Sequence, residues 1–277
     1  MRFRKQTLFT LAASATAIAL FILAAAACAI TPHGESFNAA GDALVPTSVP
    51  TPHQMPSTPS PTITPTATPS PTINPYSFVK VGNTIQFGKY LWRVLDVQDG
   101  RALIITEDIV DKQPYHVIYE DVTWEDCSLR KYLNEDFYDS FSAEERSLIL
   151  ETNVHNPDNL WYGTKGGNDT RDFVFLLSLE ELDKYLGDSG DYLNKVRKAH
   201  DGELFPSRTG WYLSNTHDGE RKAAYDGDKW YYWLRSPGRI ASYAAYVNYD
   251  GWISVSGRRI SGALNGVRPA LWLDAGG

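Results

Sequence analysis

The proline-rich segment 31–76 limits most strongly what this chain can fold into. Eleven of the 16 prolines lie between Pro32 and Pro75, among many Thr and Ser residues and very few charges. Each proline fixes φ and removes a backbone donor, so such a segment cannot build a packed core. The composition predicts a disordered linker that prefers polyproline II and acts as a spacer. The 277 residues therefore divide into 1–30, 31–76 and a globular part, 77–277.

Residues 1–30 have the layout of an export signal. Three basic residues among the first five precede an apolar run of 23 residues, from Leu8 to Ile30. This pattern is typical of a secretory signal peptide, and 23 residues also suffice for an uncleaved membrane anchor. Four alanines before Cys28 resemble a lipobox, which would make Cys28 a lipidation site of a lipoprotein. Each alternative predicts export, with residues 31–277 extracellular; we expect a membrane-anchored protein.

Charge and cysteine content exclude several classes of protein. The chain has a net charge of -7, and residues 78–277 alone carry 23 basic and 31 acidic groups, a net of -8. An acidic domain is a poor partner for nucleic acid, which requires a positive face. Two cysteines, Cys28 and Cys127, exclude a disulfide-rich scaffold and a cysteine zinc cluster. We expect Cys127 to be a small buried residue rather than a nucleophile.

The globular part is predicted to be an α+β domain with early helices and a strand-rich C-terminal half. Asp99-Gly100 predicts a hairpin turn, and capping boxes at Ser142 and Ser178 predict helix starts. Further helices are expected at 124–133 and 191–200. Strands are expected at 84–87, 92–97, 102–105, 173–177, 211–213, 230–234, 244–247, 252–255 and 270–273. This order favours α+β over alternating βαβ units.

Two C-terminal motifs, Trp233-Leu234-Arg235-Ser236-Pro237 and Gly266-Val267-Arg268-Pro269-Ala270-Leu271, are distinctive. With 123–134 and 161–170, they resemble a bacterial family of uncharacterised domains found on exported proteins. The ending is more distantly similar to that of the C-type-lectin-like fold of formylglycine-generating enzymes and of diversity-generating retroelement variable proteins. This resemblance implies a C-type-lectin-like domain with its ligand-contacting residues in the C-terminal region. The oxidase chemistry is not expected, because the chain lacks the required C-terminal cysteine pair.

The residues of these motifs also have a structural interpretation. We expect Gly266 to permit a strained turn. Arg235 and Arg268 are expected to be structural, bonding backbone carbonyls or a carboxylate rather than a ligand.

The density of aromatic residues is the strongest indication of binding. Residues 205–277 hold five of the eight tryptophans. Strand alternation predicts that Trp233 and Trp272 pack inside. The surface residues near the Asp250-Gly251 turn suit a carbohydrate or protein ligand. The predicted ligand-binding residues are Tyr243, Tyr249, Trp252, Arg258 and Arg259; if Tyr249, Trp252 and Arg258 were all buried, this site would fail.

Two clusters of oxygen-bearing residues raise the question of calcium. Their members lie in the loop 153–172 and at 226–228, namely Asp158, Asn168, Asp169, Asp226 and Asp228. Extracellular hard cations require such ligands, but Asn, Asp and Gly also populate ordinary turns. The sequence favours turns, because no EF-hand spacing is present.

No motif identifies a catalytic residue. The chain lacks HExxH, G-x-S-x-G, P-loop and Rossmann patterns. The leading expectation is non-catalytic recognition of an extracellular carbohydrate or protein. One alternative is an extracellular hydrolase that uses carboxylates of the loop 153–172. Another is a structural surface module without a small ligand.

Overall fold

A computed structural model describes residues 74–191, 193, 212–262 and 264–276. Four predicted or expected features lie wholly or mostly outside this part: the predicted export signal with Cys28, the predicted linker, the predicted helix at 191–200 and Trp211. Among the described residues, no helix is long and apolar enough to cross a membrane.

The described chain is a mixture of short helices and many strands, as the sequence predicts. The strands are β1 (Thr84–Phe87), β2 (Tyr90–Gln98), β3 (Arg101–Thr106), β4 (Asp111–Gln113), β5 (Ile149–Leu150), β6 (Thr152–Val154), β7 (Thr170–Asp172), β8 (Ala224–Tyr225), β9 (Asp228–Lys229), β10 (Tyr232–Pro237), β11 (Tyr243–Val247), β12 (Ile253–Arg259), β13 (Asn265–Val267) and β14 (Ala270–Asp274). The α-helices are α1 (Ser128–Tyr132), α2 (Ala143–Leu148), α3 (Leu179–Leu186) and α4 (Asp218–Arg221), and a π-helical turn, Leu133–Phe137, continues α1.

The first sheet has the strand order β1-β2-β3-β14-β5 and is antiparallel. Asp99 and Gly100 join β2 to β3 with φ of 50° and 70°. Positive φ at both central residues is the geometry of a tight hairpin turn, so the predicted turn is confirmed. The last strand, β14, lies between β3 and β5, so the C-terminus completes the sheet that the N-terminal strands begin.

The second sheet has the order β12-β11-β10-β13-β4. Its pairings are antiparallel except that of β10 with β13. The Trp-Leu-Arg-Ser-Pro motif lies at the centre of this sheet, in β10. The Gly-Val-Arg-Pro-Ala-Leu motif leaves the second sheet through β13 and enters the first through β14. The second motif therefore connects the two sheets.

Two helix starts agree with the sequence. Ser142 and Ser178 each accept a bond from the backbone N–H three residues later, and Glu145 and Glu181 complete the two capping boxes. These signals are local, since they need only residues within one turn.

The first predicted helix is shorter than expected. It begins at Ser128 instead of after Thr123, and the Sγ of Cys127 accepts a bond from the N–H of Arg130 at 3.4 Å. Trp124 is excluded from the helix because its indole Nε1 donates to the Oδ2 of Asp172 at 2.9 Å. A tertiary hydrogen bond has overridden the helical pattern here.

Two other local predictions are wrong. Residues 173–177 do not form a strand; among them only Phe175 makes a bridge, to Ala270. The side-chain Oδ1 of Asn134 accepts from the N–H of Phe173 at 2.8 Å and replaces a neighbouring strand there. Gly266 lies inside β13 rather than in a strained turn. It must be glycine because the side chain of Ile109 occupies the place of a Cβ.

Buried tryptophans form the centre of one continuous core. Trp92, Trp124 and Trp233 are fully buried, and Trp272 is 7% exposed. The inward packing predicted for Trp233 and Trp272 is therefore confirmed. Large buried aromatic side chains contribute the most hydrophobic stabilisation for each residue.

The two motif arginines are buried and bonded internally. The Nε of Arg268 donates to the carbonyl of Thr106 at 2.8 Å. The guanidinium of Arg235 donates to the carbonyl of Leu176 at 2.7 Å and forms an ion pair with Glu181. Both arginines are structural, as expected.

Residues 74–76, which the sequence assigns to the linker, contact the globular domain. The side chain of Asn74 donates to the carbonyl of Asp274 at 3.0 Å, and the ring of Tyr76 lies 5.7 Å from that of Phe87. The fold thus includes chain from at least Asn74 onward.

Candidate ligand-binding groove

A groove with a volume of about 1000 Å³ is formed largely by residues of the second sheet. We call it the aromatic groove. Five aromatic and three arginine side chains share its lining, together with serines, glycines, Leu264 and Asn265. These eight residues are Tyr212, Trp230, Tyr231, Tyr243, Tyr246, Arg239, Arg258 and Arg259. The described lining includes no Asp, Glu or His.

Strand β12 shows why the sequence builds this surface. Successive side chains of a strand point to opposite faces. Ile253 and Val255 are buried in the core, whereas Ser254, Ser256 and Arg258 line the groove. The polar residues at every second position therefore form one wall of the aromatic groove.

Arg258 lies beside two tyrosine rings that also contact each other, with their centroids 5.9 Å apart. Its guanidinium carbon is 5.7 Å from the ring centroid of Tyr231 and 5.7 Å from that of Tyr246. Its Nη1 donates to the Oδ1 of Asn265 at 3.0 Å. Stacking on two aromatic faces and one hydrogen bond hold the head group in a fixed orientation.

The hydroxyls of Tyr231 and Tyr246 remain protonated at neutral pH. Burial raises the pKa of Tyr246 well above its ordinary value, and the hydrogen bond with Tyr212 adds to this effect. The two hydroxyl oxygens are 2.6 Å apart. Burial also raises the pKa of Tyr231. Such hydroxyls can both donate and accept hydrogen bonds to a ligand.

The five residues predicted for ligand binding are close to one another. Tyr243, Arg258 and Arg259 line the groove. Tyr249 is 45% exposed and Trp252 is 38% exposed, so the condition that would have excluded the site is not met. The ring of Tyr249 packs edge-on against that of Tyr231, with 5.4 Å between the centroids. The ring of Trp252 packs in the same way against that of Tyr212, with 6.1 Å between the centroids.

Further residues that line the groove were not predicted as ligand-binding residues; among them are Tyr212, Tyr231, Tyr246 and Asn265. The placement of Ser254, Ser256 and Arg258 at every second position is a sequence pattern from which this wall of the groove could have been predicted. No comparable signal exists in β11, because its pairing with β12 shifts register between Ala244 and Tyr246.

The candidate calcium ligands in the loop 153–172 form hydrogen bonds or ion pairs with other groups of the protein. The carboxylate of Asp158 accepts from the Nζ of Lys165 at 2.6 Å and from the N–H of Gly166 at 3.0 Å. These bonds hold the pKa of Asp158 below its ordinary value. Asp169 accepts from the N–H of Asn156, and Asn168 donates to Glu125.

The second pair of calcium candidates forms a small hairpin. Asp226 has a φ of 52° in the turn between β8 and β9, and Asp228 begins β9. Within the described ranges, no group of three or more His, Cys, Asp or Glu side chains is arranged to hold a metal ion. Asp226 and Asp228 thus take part in a tight turn, a position that Asp commonly occupies.

A second, smaller cavity of about 290 Å³ lies beside the start of α3. Its lining includes Trp161, Leu179 and Ser236 and two carboxylates, those of Asp158 and Glu180. Asp158 is a carboxylate of the loop 153–172, on which the hydrolase alternative depends, and here it lies next to a cavity.

Cys127 is expected to be unreactive in the folded protein. It is 2% exposed, and burial raises the pKa of its thiol to about 12. Since the thiolate is the nucleophile, iodoacetamide at pH 8 should label Cys127 only after the domain unfolds in urea. Peptide mass spectrometry separates this site from Cys28. Rapid labelling of Cys127 in the folded chain would contradict the structure.

Comparison with known proteins gives one family. No curated protein and no solved structure matches the chain. The family model described as "Domain of unknown function (DUF6273)" matches residues 99–275. This range contains both C-terminal motifs and nearly all of the aromatic groove, whereas β1 and β2 precede it. Because the match covers more than half of the chain, the protein belongs to the DUF6273 family of domains of unknown function.

Proposed function

We propose that this protein recognises an extracellular ligand, a carbohydrate or a protein, without catalysis and through the aromatic groove. The observation that carries the proposal is the lining of the groove by five aromatic and three arginine side chains. Aromatic side chains offer a large contact area at a small entropic cost, and arginine adds directed donors. Tyr249 and Trp252 extend this surface at the edge of the groove.

A C-type-lectin-like fold is part of the proposal. Its support is the Gly-Val-Arg-Pro-Ala ending, which in this chain connects the two sheets at β13 and β14. The resemblance implies that ligand contacts lie in the C-terminal region, and the aromatic groove is built almost entirely from residues 212–265.

The position of the domain outside the cell is also proposed. The basic flank, the apolar run and Cys28 support an export signal that ends in a lipid or transmembrane anchor. The Pro/Thr/Ser-rich segment would then hold the domain away from the membrane. A polyproline II chain extends by about 3.1 Å for each residue, so this spacer could span on the order of 100 Å. Nucleic acid is not a proposed partner, because residues 78–277 are acidic.

The alternatives have less support. A carboxylate-based hydrolase needs one acid that holds its proton near neutral pH. Asp158, beside the smaller cavity, has instead a lowered pKa. A structural module without a ligand would give no role to the concave aromatic surface.

A glycan and cell-surface protein array, probed with the intact chain, tests the proposal. We expect a specific signal that Trp252→Ala weakens by about tenfold, as for loss of one aromatic contact. Phe78→Ala is the matched control, because Phe78 is 79% exposed and is not part of the groove. A chelator is included, and a signal that it abolishes would support the calcium alternative. Absence of any signal would contradict the proposed function. Binding by both Trp252→Ala and Tyr231→Ala that equals that of the unchanged chain would also contradict it.

A further inference from the structure

The aromatic groove is a cationic surface on an acidic domain. Three arginines line it and the described lining contains no carboxylate, although residues 78–277 carry a net charge of -8. A cleft lined by one sign of charge concentrates ligands of the opposite sign. We propose that the ligand is a saccharide that bears a carboxylate, such as a uronic or sialic acid. This inference rests on the proposed function and names the class of ligand.

Arg258 is the group that would bind the carboxylate. Several arginines elsewhere in the domain are paired with carboxylates, such as Arg93 with Glu107 at 2.7 Å and Arg130 with Asp172 at 2.6 Å. Within the described residues, Arg258 has no carboxylate partner and one hydrogen bond, from Nη1 to Asn265. A planar guanidinium with a free edge matches the two oxygens of a carboxylate. The rings of Tyr231 and Tyr246 already fix its orientation, so little entropy is lost on binding.

Asn265 supplies a second unused donor beside Arg258. It is 1% exposed and lines the groove, and its Oδ1 accepts from Arg258. Its Nδ2 has no acceptor within the described part of the chain. Buried donors are rarely left unpaired. Because this Nδ2 is closed off from solvent, a ligand oxygen or a bridging water would reach it only after neighbouring side chains move.

The lining favours a saccharide over an acidic peptide. Peptides that bind sheets usually add a strand to an exposed edge. Here eight lining residues lie in β11, β12 and β13 and the others in adjoining loops, and side chains form most of the lining although β12 is an edge strand. The lining presents the hydroxyls of Tyr243, Ser254 and Ser256 among its aromatic rings. Such groups can donate to and accept from the hydroxyls of a sugar ring.

The experiment measures binding of the intact chain to acidic saccharides and to their neutral derivatives. The probes are hyaluronan oligosaccharides, oligogalacturonate and sialyllactose, each also as its carboxyl methyl ester. Hexaglutamate and cellohexaose serve as an acidic peptide and a neutral saccharide. We expect at least one acidic saccharide to bind, and its ester to bind at least about tenfold more weakly, as for a lost charge-assisted hydrogen bond. Salt should also weaken the binding.

Variants of Arg258 test its role in the same assay. Arg258→Gln should reduce affinity about ten- to a hundredfold, and Arg258→Lys should retain part of it. Arg171→Gln is the control, because Arg171 is exposed, lies outside the groove and pairs with Glu151. Tryptophan fluorescence of each variant checks that the domain is folded.

Each other outcome overturns the inference in a different way. Equal binding of acid and ester, or equal binding by Arg258→Gln, would exclude carboxylate recognition but leave the proposed function intact. Binding of hexaglutamate alone would assign a protein ligand. If no acidic saccharide binds while the array gives another ligand, only the inference fails. If the array is also negative, the proposed function fails with it.

Discussion

Replacing Arg235 by alanine is expected to lower the free energy of unfolding by about 3–5 kcal/mol, as for removal of one partner of a buried ion pair. Arg235 is 2% exposed, and all three of its nitrogens donate to protein acceptors. Two of these acceptors are the carbonyls of Leu176, at 2.7 Å, and His155, at 2.6 Å. The variant removes this donor from both carbonyls and from the Oδ1 of Asn156, and it leaves the carboxylate of Glu181 with the N–H of Ser178 but without its ion pair.

Urea denaturation followed by tryptophan fluorescence measures this effect. All eight tryptophans lie between residues 92 and 272, so the signal reports the globular domain. Arg235→Lys keeps the charge but lacks the planar fork, and an intermediate loss of stability is expected. Arg171→Ala removes an exposed arginine and should leave the midpoint nearly unchanged. A loss below about 1 kcal/mol for Arg235→Ala would contradict the structural role of this arginine.

Replacing Gly251 by alanine is the second change with a large expected effect. Gly251 lies in the turn between β11 and β12 with a φ of 85°, which disfavours any residue with a Cβ. A Cβ there would also overlap the main-chain carbonyl of Asp218, at the start of α4. We expect the free energy of unfolding to fall by about 3 kcal/mol or more, from backbone strain and overpacking together.

Gly227→Ala is the matched control for Gly251→Ala. Gly227 has almost the same φ, 86°, but nothing lies within 4 Å of the place of its Cβ. Its replacement should lower the free energy of unfolding only through backbone strain, by about 1 kcal/mol. The difference between the two variants therefore isolates the close approach of α4 to the hairpin. Equal losses of stability would contradict that contact.

Features determined within a few residues could be predicted from the sequence. The turn at Asp99-Gly100 and the capping boxes at Ser142 and Ser178 depend on local backbone geometry, and all three are present. Trp233 and Trp272 are buried as predicted, although alternation is not the reason, because every residue of β10 and all but the last of β14 are buried on both faces.

Features determined by distant contacts could not be predicted in the same way. The helix expected at 124–133 begins late because Trp124 bonds to Asp172, 48 residues away. The extended run 173–177 lacks a strand partner along most of its length because Asn134 satisfies its first amides. Neither contact leaves a periodic signal in the sequence.

The candidate site could be predicted only in part, because it too depends on contacts between distant residues. Arg258 and Arg259 could be placed near the surface from the Asp250-Gly251 turn. The rings of Tyr231 and Tyr246 lie beside Arg258 because β11 pairs with β12 and with β10, which Tyr231 precedes. That order, with the register shift in β11, is set by the tertiary fold and not by local spacing.

Photo-crosslinking tests most directly the central claim, that the aromatic groove is the binding surface. The best ligand from the array is coupled to a diazirine, bound to the intact chain and irradiated, and the modified residues are identified by mass spectrometry. We expect crosslinks to Tyr231, Tyr246 and Arg258, and we expect excess unlabelled ligand to suppress them. Suppressible crosslinks at Trp161 and Leu179 in the smaller cavity, with none in the aromatic groove, would contradict this claim.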